Sequence, residues 1–219
     1  MRPSVMSLTK QIAWASSLIV VSGAWLFAQT STPCPDYSQI PGVQGMANNA
    51  KITVQMVDNA VGQWDTDGSG SQQQTVSQTL SNFTNIAGSN QSVTSVENTD
   101  TEDLSGATTA TPVMVMSMAT QPTLDSSCST AEVPHPTSCT TDATINGTIV
   151  YTRTQMLPSY AAAYLAPLSA HELGGHGDYG WDDCNGPNCT GSVMNPTLQP
   201  SVTAPTPNCD IPQAKRCGR

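Results

Sequence analysis

Two of the chain's three histidines fall in one short stretch, HELGGHGDYGWDDC, His171 to Cys184. A His-Glu pair near the end of an apolar helix, with another His about a turn later, is a zinc-hydrolase arrangement. Neutral imidazoles of His171 and His176 would ligate the metal. Glu172 would take a proton from the metal-activated water and later return it to the leaving amine. Zinc brings the pKa of its water near neutrality and polarises the scissile carbonyl, so an acid with no special strength can run the reaction.

The spacing sets a condition on the local backbone. His171 and His176 are five residues apart. On an α-helix, at about 100° per residue, i+4 returns to within roughly 40° of the start while i+5 lies roughly 140° away. A regular α-helix therefore cannot aim both rings at one ion. A π-bulge restores the facing because its turn closes at i+5. Gly174 and Gly175 suit that distortion, or an early helix end from which His176 returns on a loop.

A second feature follows after a short loop: Ser192-Val193-Met194-Asn195-Pro196. Together, HE…H…G…D and S-V-M-x-P resemble the metzincins, the matrixin-like branch in particular. The likeness spans Ala170 to Leu198, and the preceding 130 or so residues match only in outline. It implies a helix that carries two His ligands and ends at a Gly, a turn that supplies a third ligand, and a tight Met turn beneath the metal. Carried over, His171 and His176 are ligands, Glu172 is the base, Gly180 is the turn Gly and Met194 is the turn Met. Pro196, two after the Met, is the matrixin-like feature. Counting six from His176 gives Asp182 as third ligand, and counting three from Gly180 gives Asp183. Hydrolysis needs an open position for water, so one of the two ligates. Pro196, Thr197 and Leu198 would help shape the pocket for the residue after the cut.

These residues need a scaffold. Lys51 to Val57 alternates as a strand, Pro112 to Met118 is the most apolar strand, and Ser92 to Val96 and Thr148 to Arg153 read as two more. Gln74 to Ile86 places Val76, Leu80, Phe83 and Ile86 at helical spacing. Pro158 to Gly175 is Ala- and Leu-rich and reads as the helix that carries the motif. Pro167 either kinks it or opens a second helix. Ser126 to Ala143 reads as a Cys/Pro/Thr loop, and the chain after Gly175 as loop apart from a short helix at Ile211 to Arg216. The expected fold is α+β. A twisted mixed sheet of three to five strands packs on a central active-site helix, and a short, irregular C-terminal part is held by disulfides.

Composition bounds the rest. Arg2 and Lys10 flank the start of an apolar run, Ile12 to Ala28, which reads as a signal peptide cleaved after Ala24 or Ala28. The expected organisation is a signal peptide over 1–28, an extended lead-in over 29–50 and a catalytic domain over 51–219. Cleavage leaves five basic residues against 16 acids, a net charge near −11. Such a surface disfavours nucleic acid. All seven cysteines lie beyond the leader. In a secreted or periplasmic chain they are expected mostly as disulfides. The nearest-neighbour pairs are Cys128 with Cys139, Cys184 with Cys189 and Cys209 with Cys217, leaving Cys34 over. Cys34, in TPCPD, has a faint likeness to the zinc-capping cysteine of matrixin prodomains, but Pro-Cys-Pro reads as linker or disulfide. The Asp65-Thr66-Asp67-Gly68 turn resembles the start of a calcium loop, yet Val76 stands where the distal Glu belongs, so calcium is unsupported. His135, in VPHP, reads as an exposed loop residue, and Met114, Met116 and Met118 as core filler. The expected protein is a monomeric secreted zinc endopeptidase that acts on protein or peptide, with no membrane association after signal cleavage. The alternative is a catalytically degenerate secreted binding module of the same fold, without zinc.

Overall fold

The computed structural model describes residues 43–84, 86–131, 133–184, 191–195, 197, 200–207 and 210–211. The expected leader, most of the lead-in, residues 212–216 of the expected C-terminal helix, Pro196, Leu198 and Cys34, Cys189, Cys209 and Cys217 lie outside them. The described residues form a mixed α/β structure with three α-helices and one five-stranded sheet. None of their helices is long and apolar enough to cross a membrane.

The strands are β1 (Lys51–Val57), β2 (Ser92–Thr99), β3 (Val113–Met118), β4 (Ser138–Ile145) and β5 (Thr148–Met156), in sheet order β2-β1-β3-β5-β4. The first four in that order run parallel, and β4 pairs antiparallel with β5 at the edge. Alternation in β1 puts Ile52, Val54 and Met56 wholly inside. Central β3 is buried nearly throughout, as strands covered on both faces are. Met114, Met116 and Met118 join the main core, as core filler should. Burying side chains of this size contributes about 1.5–3 kcal/mol each before the entropy of ordering them is counted.

Helix α1 (Ser71–Ser81) starts three residues earlier than the spacing of Val76, Leu80 and Phe83 predicts. The start is set by a cap from upstream. Asp65 accepts the amide protons of Gln72 and Gln73 at 2.8 and 3.0 Å, satisfying first-turn donors that otherwise lack partners. The DTDGSG segment is thus a capping turn. Beyond α1, Ile86 belongs to a separate 3-10 turn.

The Ser126 to Ala143 region is a correction. It begins with the end of α2 (Gln121–Cys128) and continues into β4, so the edge strand occupies what composition reads as loop. Cys128 and Cys139 form a disulfide that ties the end of α2 to the second residue of β4. Cys184 is disulfide-bonded as well. His135 is largely exposed, its Nδ1 3.1 Å from Asp125.

Helix α3 (Pro158–Leu168) carries Pro at its start and again at Pro167. Pro167 has no amide proton and its ring crowds the preceding turn. The backbone leaves helical angles at Tyr164, three residues upstream (φ −137°, ψ 29°), so Pro167 kinks the helix. Ala161, Leu165 and Leu168 join Met114 and Met116 in the main core, which seats this helix on the sheet. The helical path continues past Gly175 to Tyr179, a second departure from the sequence reading.

Candidate metal centre

His171, Glu172 and His176 all lie in a π-helix, Ser169–Tyr179. Its i→i+5 closure matches the histidine spacing, so His171 and His176 project from one side. Their ring centroids are 4.8 Å apart and the rings are nearly perpendicular, 89°. Two glycines permit this path. A Cβ on Gly174 would fall 2.5 Å from Phe83, and one on Gly175 would fall 2.0 Å from the Met194 sulfur. The helix stops at Gly180, in the left-handed region (φ 65°), where its amide bonds the His176 carbonyl at 2.9 Å.

The chain past Gly180 is anchored and then brings in a carboxylate. Tyr179 stacks on Trp181 at 4.4 Å, and both are buried. Asp183 then places Oδ1 3.2 Å from His171 Nε2 and 3.5 Å from His176 Nε2. These three residues offer ligand atoms that all lie within 4.8 Å of one another. Asp182 is not part of this cluster. It is exposed, and its Oδ1 accepts the Asp183 amide proton at 2.9 Å.

Each imidazole is oriented from behind. His171 Nδ1 lies 2.8 Å from the Val193 carbonyl, and His176 Nδ1 lies 2.6 Å from the Trp181 carbonyl. A carbonyl only accepts, so each Nδ1 carries a proton and each ring, when neutral, turns its Nε2 lone pair inward. This is the outer-shell pattern that orients metal-bound histidines. The first of those carbonyls comes from the Met turn. Met194 is wholly buried, its sulfur set against Gly175, and its carbonyl accepts the Cys184 amide. Asp210 clamps that turn from behind. It accepts from Ser192 Oγ at 2.7 Å, the Val193 amide at 3.3 Å and the Thr206 amide at 2.6 Å. Nothing in the sequence around Asp210 signals this role, because its partners are brought together only by the fold.

Comparison of the chain with protein-family models, with curated proteins and with solved structures finds no match.

The site must therefore be read on its own chemistry. Asp183 Oδ1 is buried, with the two Nε2 atoms facing it. With both rings neutral, three acceptor atoms face one another and could hold a cation between them. Two ligands held at about 2.0–2.1 Å on a tetrahedral ion are about 3.3 Å apart. The observed 3.2 and 3.5 Å bracket that figure. The donor set, two imidazoles and one carboxylate, is one that a divalent ion such as zinc accepts. Without metal, a proton takes the cation's part. Burial draws His176 down, but the Asp183 carboxylate beside it and the nearby Glu172 charge outweigh that and lift it to about 9. Burial pushes Asp183 up, and the two imidazoles more than reverse this, so it stays well below the ordinary carboxylate range.

Metal must displace the His176 proton. Below about pH 9 that proton competes with zinc, so affinity is expected to rise with pH through the neutral range, with a proton released on binding. Titration calorimetry in buffers of different ionisation enthalpy measures the release. Asp183→Ala is expected to lower zinc affinity well beyond the 10- to 100-fold or so that loss of an outer partner costs. Asp182→Ala removes only a cap and should stay within that range. Competition with a chromogenic chelator compares the two.

Glu172 is 3 % exposed and sits beside the cluster. Its Oε2 accepts the Thr140 hydroxyl at 2.7 Å. The site opens into a cavity of about 710 Å³ whose lining includes Ser138 to Thr141 of β4, Tyr160 and Tyr164 of α3, Asn195 and Thr197. Asp142, two residues beyond Thr140, is pushed up to about 7, first by burial and also by the Glu172 charge, with His176 opposing. Thr140 and Asp142 escape sequence reasoning because β4 is taken for loop.

Proposed function

We propose that this chain is a zinc-dependent endopeptidase of metzincin-like, matrixin-like architecture, exported from the cell. The observation that carries the reading is the convergence of His171 Nε2, His176 Nε2 and Asp183 Oδ1 beside Glu172, with both Nδ1 atoms tied to backbone carbonyls. Glu172 in the π-helix, the turn at Gly180 and the buried Met194 packed against Gly175 support the reading. The disulfides of Cys128, Cys139 and Cys184 suit an oxidising compartment.

His171, His176 and Asp183 would hold the zinc. When bound, zinc would polarise the scissile carbonyl and make water a nucleophile at neutral pH. Asp183 contributes one negative charge, which partly balances the ion. Glu172, nearly buried and acceptor-only when ionised, takes the proton of the attacking water and delivers it to the leaving nitrogen. The substrate lies along β4, whose outer edge has no strand partner among the described residues. Its backbone amides and carbonyls can add an extended peptide, so recognition begins with main-chain hydrogen bonds. Thr197 lies on the cavity wall, in keeping with a part in the pocket for the residue after the cut.

Zinc content after exhaustive dialysis, paired with hydrolysis of fluorescein-labelled casein, tests the reading. Near one zinc per chain, with cleavage lost to a chelator and restored by zinc, is expected. No zinc even when supplied points instead to the secreted binding module.

A further inference from the structure

We propose that Thr140 is the positioning residue for Glu172, holding its carboxylate through a directional chain of hydroxyls that starts at Thr154. The inference rests on the peptidase reading and adds a residue outside the motif. Thr140 Oγ1 lies 2.7 Å from Glu172 Oε2 and 2.6 Å from Thr154 Oγ1. The direction of both bonds follows from proton counting. An ionised carboxylate has no proton to give, so Thr140 donates to Glu172. A hydroxyl has one proton, so Thr140 then accepts from Thr154. While Glu172 is ionised the chain runs Thr154 to Thr140 to Glu172.

Its anchor is rigid. Thr140 and Thr154 are directly opposed across the antiparallel pair of β4 and β5, and Thr154 is wholly buried. The hydroxyls are therefore placed by the sheet ladder, while Glu172 is placed by the π-helix. The bond joins the two elements at the reacting group.

Two consequences follow. The carboxylate oxygens become unequal: Oε2 is committed to Thr140, and Oε1 is the one left to exchange a proton in the cavity. The bond also holds the acid away from the His171, His176 and Asp183 cluster. A free carboxylate next to a metal centre would swing in as a fourth ligand and close the position water must occupy. Asp142 on the same face of β4 adds a reason for the bond, because the two carboxyls feel one another's charge.

The test uses the full chain loaded with zinc, fluorescein-labelled casein as substrate, and the variants Glu172→Gln, Thr140→Ser and Thr140→Val. Zinc content and melting temperature are measured beside kcat and KM. Thr140→Val keeps the branched shape and removes the hydroxyl. It is expected to lower kcat on the order of 10²-fold, as a misplaced catalytic group does, with KM and zinc content little changed. Thr140→Ser keeps the donor and is expected to restore most of the rate. Wild-type kcat in an active, zinc-loaded Thr140→Val protein overturns the positioning role alone. So does a Thr140→Ser protein as slow as Thr140→Val, since size and not the hydroxyl would then matter. Equal inactivity of wild type and Glu172→Gln overturns both this inference and the peptidase reading.

Discussion

Glu172→Gln is expected to keep one zinc per chain and to lower kcat by about 10²–10⁴-fold, the usual worth of a general base. Glutamine keeps the side chain's size, and its amide oxygen can still accept the Thr140 proton, so the local packing survives. Glu172 is not among the three residues whose atoms converge, so metal affinity should change little. What disappears is the ability to take a proton from water and return it. Zinc measured by elemental analysis, beside the rate of casein hydrolysis, separates these effects. A variant that loses zinc and rate together would assign Glu172 to the ligand set instead.

The second large effect concerns the extra residue between the histidines. Deleting Gly175 places them at i and i+4, the spacing that suits a regular α-helix. If the insertion were a defect, deletion would preserve or raise zinc affinity. The structure argues for the opposite outcome. The backbone around the motif is a π-helix over eleven residues, Ser169–Tyr179, and not an α-helix with one flaw. Its far end is tied down. Asp178 accepts from Gln91 at 2.8 Å through its side chain and from the Met46 amide at 2.7 Å through its carbonyl. The Tyr179 hydroxyl donates to the Phe83 carbonyl at 3.2 Å. Shortening the helix by one residue must break these ties or rotate His176 off the shared face. Gly175 is also the residue against which the Met194 sulfur is set. Its removal therefore disturbs the turn whose Val193 carbonyl orients His171. Zinc affinity is expected to fall beyond the 10- to 100-fold or so seen when an outer-shell partner is lost. Affinity equal to or above wild type in a chelator competition would show that the five-residue spacing contributes nothing.

Much of the scaffold is legible before any coordinates. Period-two burial marks β1 and most of β5 because their alternate side chains must enter the core, and a continuous apolar run marks β3, which is buried nearly throughout. Strand β4 is not legible in the same way. Its SCTTDATI reads as loop since an edge strand covers little apolar surface and takes polar residues on both faces. One local signal does point to it. Asn146-Gly147 lies between two β-branched runs, both residues have positive φ, and Asn-Gly is the preferred pair for a tight hairpin turn. Reading that pair as a turn pairs β4 with β5 but sets Thr140 opposite Arg153; the register shift between Ala143 and Thr144 is what brings Thr154 opposite Thr140.

The residues of the candidate centre were present in the sequence as a set, and so was the condition on them: five-residue spacing requires a turn that closes at i+5. Chemistry and helical geometry alone lead that far, because ligand types and angular period are local properties. Three matters belonged to tertiary structure. The choice of Asp183 over Asp182 depends on how the stacked Tyr179 and Trp181 aim the following chain. The π-helix needs Phe83 and Met194 packed where side chains on Gly174 and Gly175 would stand. The orientation of each imidazole and of Glu172 comes from Trp181, Val193 and Thr140. Val193 and Thr140 lie 22 and 32 residues from the groups they orient, and Trp181 reaches His176 only because the chain turns back at Gly180. Hydrogen bonds act over about 3 Å, so a partner that far along the chain has no local signature and is found only once the fold has brought it close.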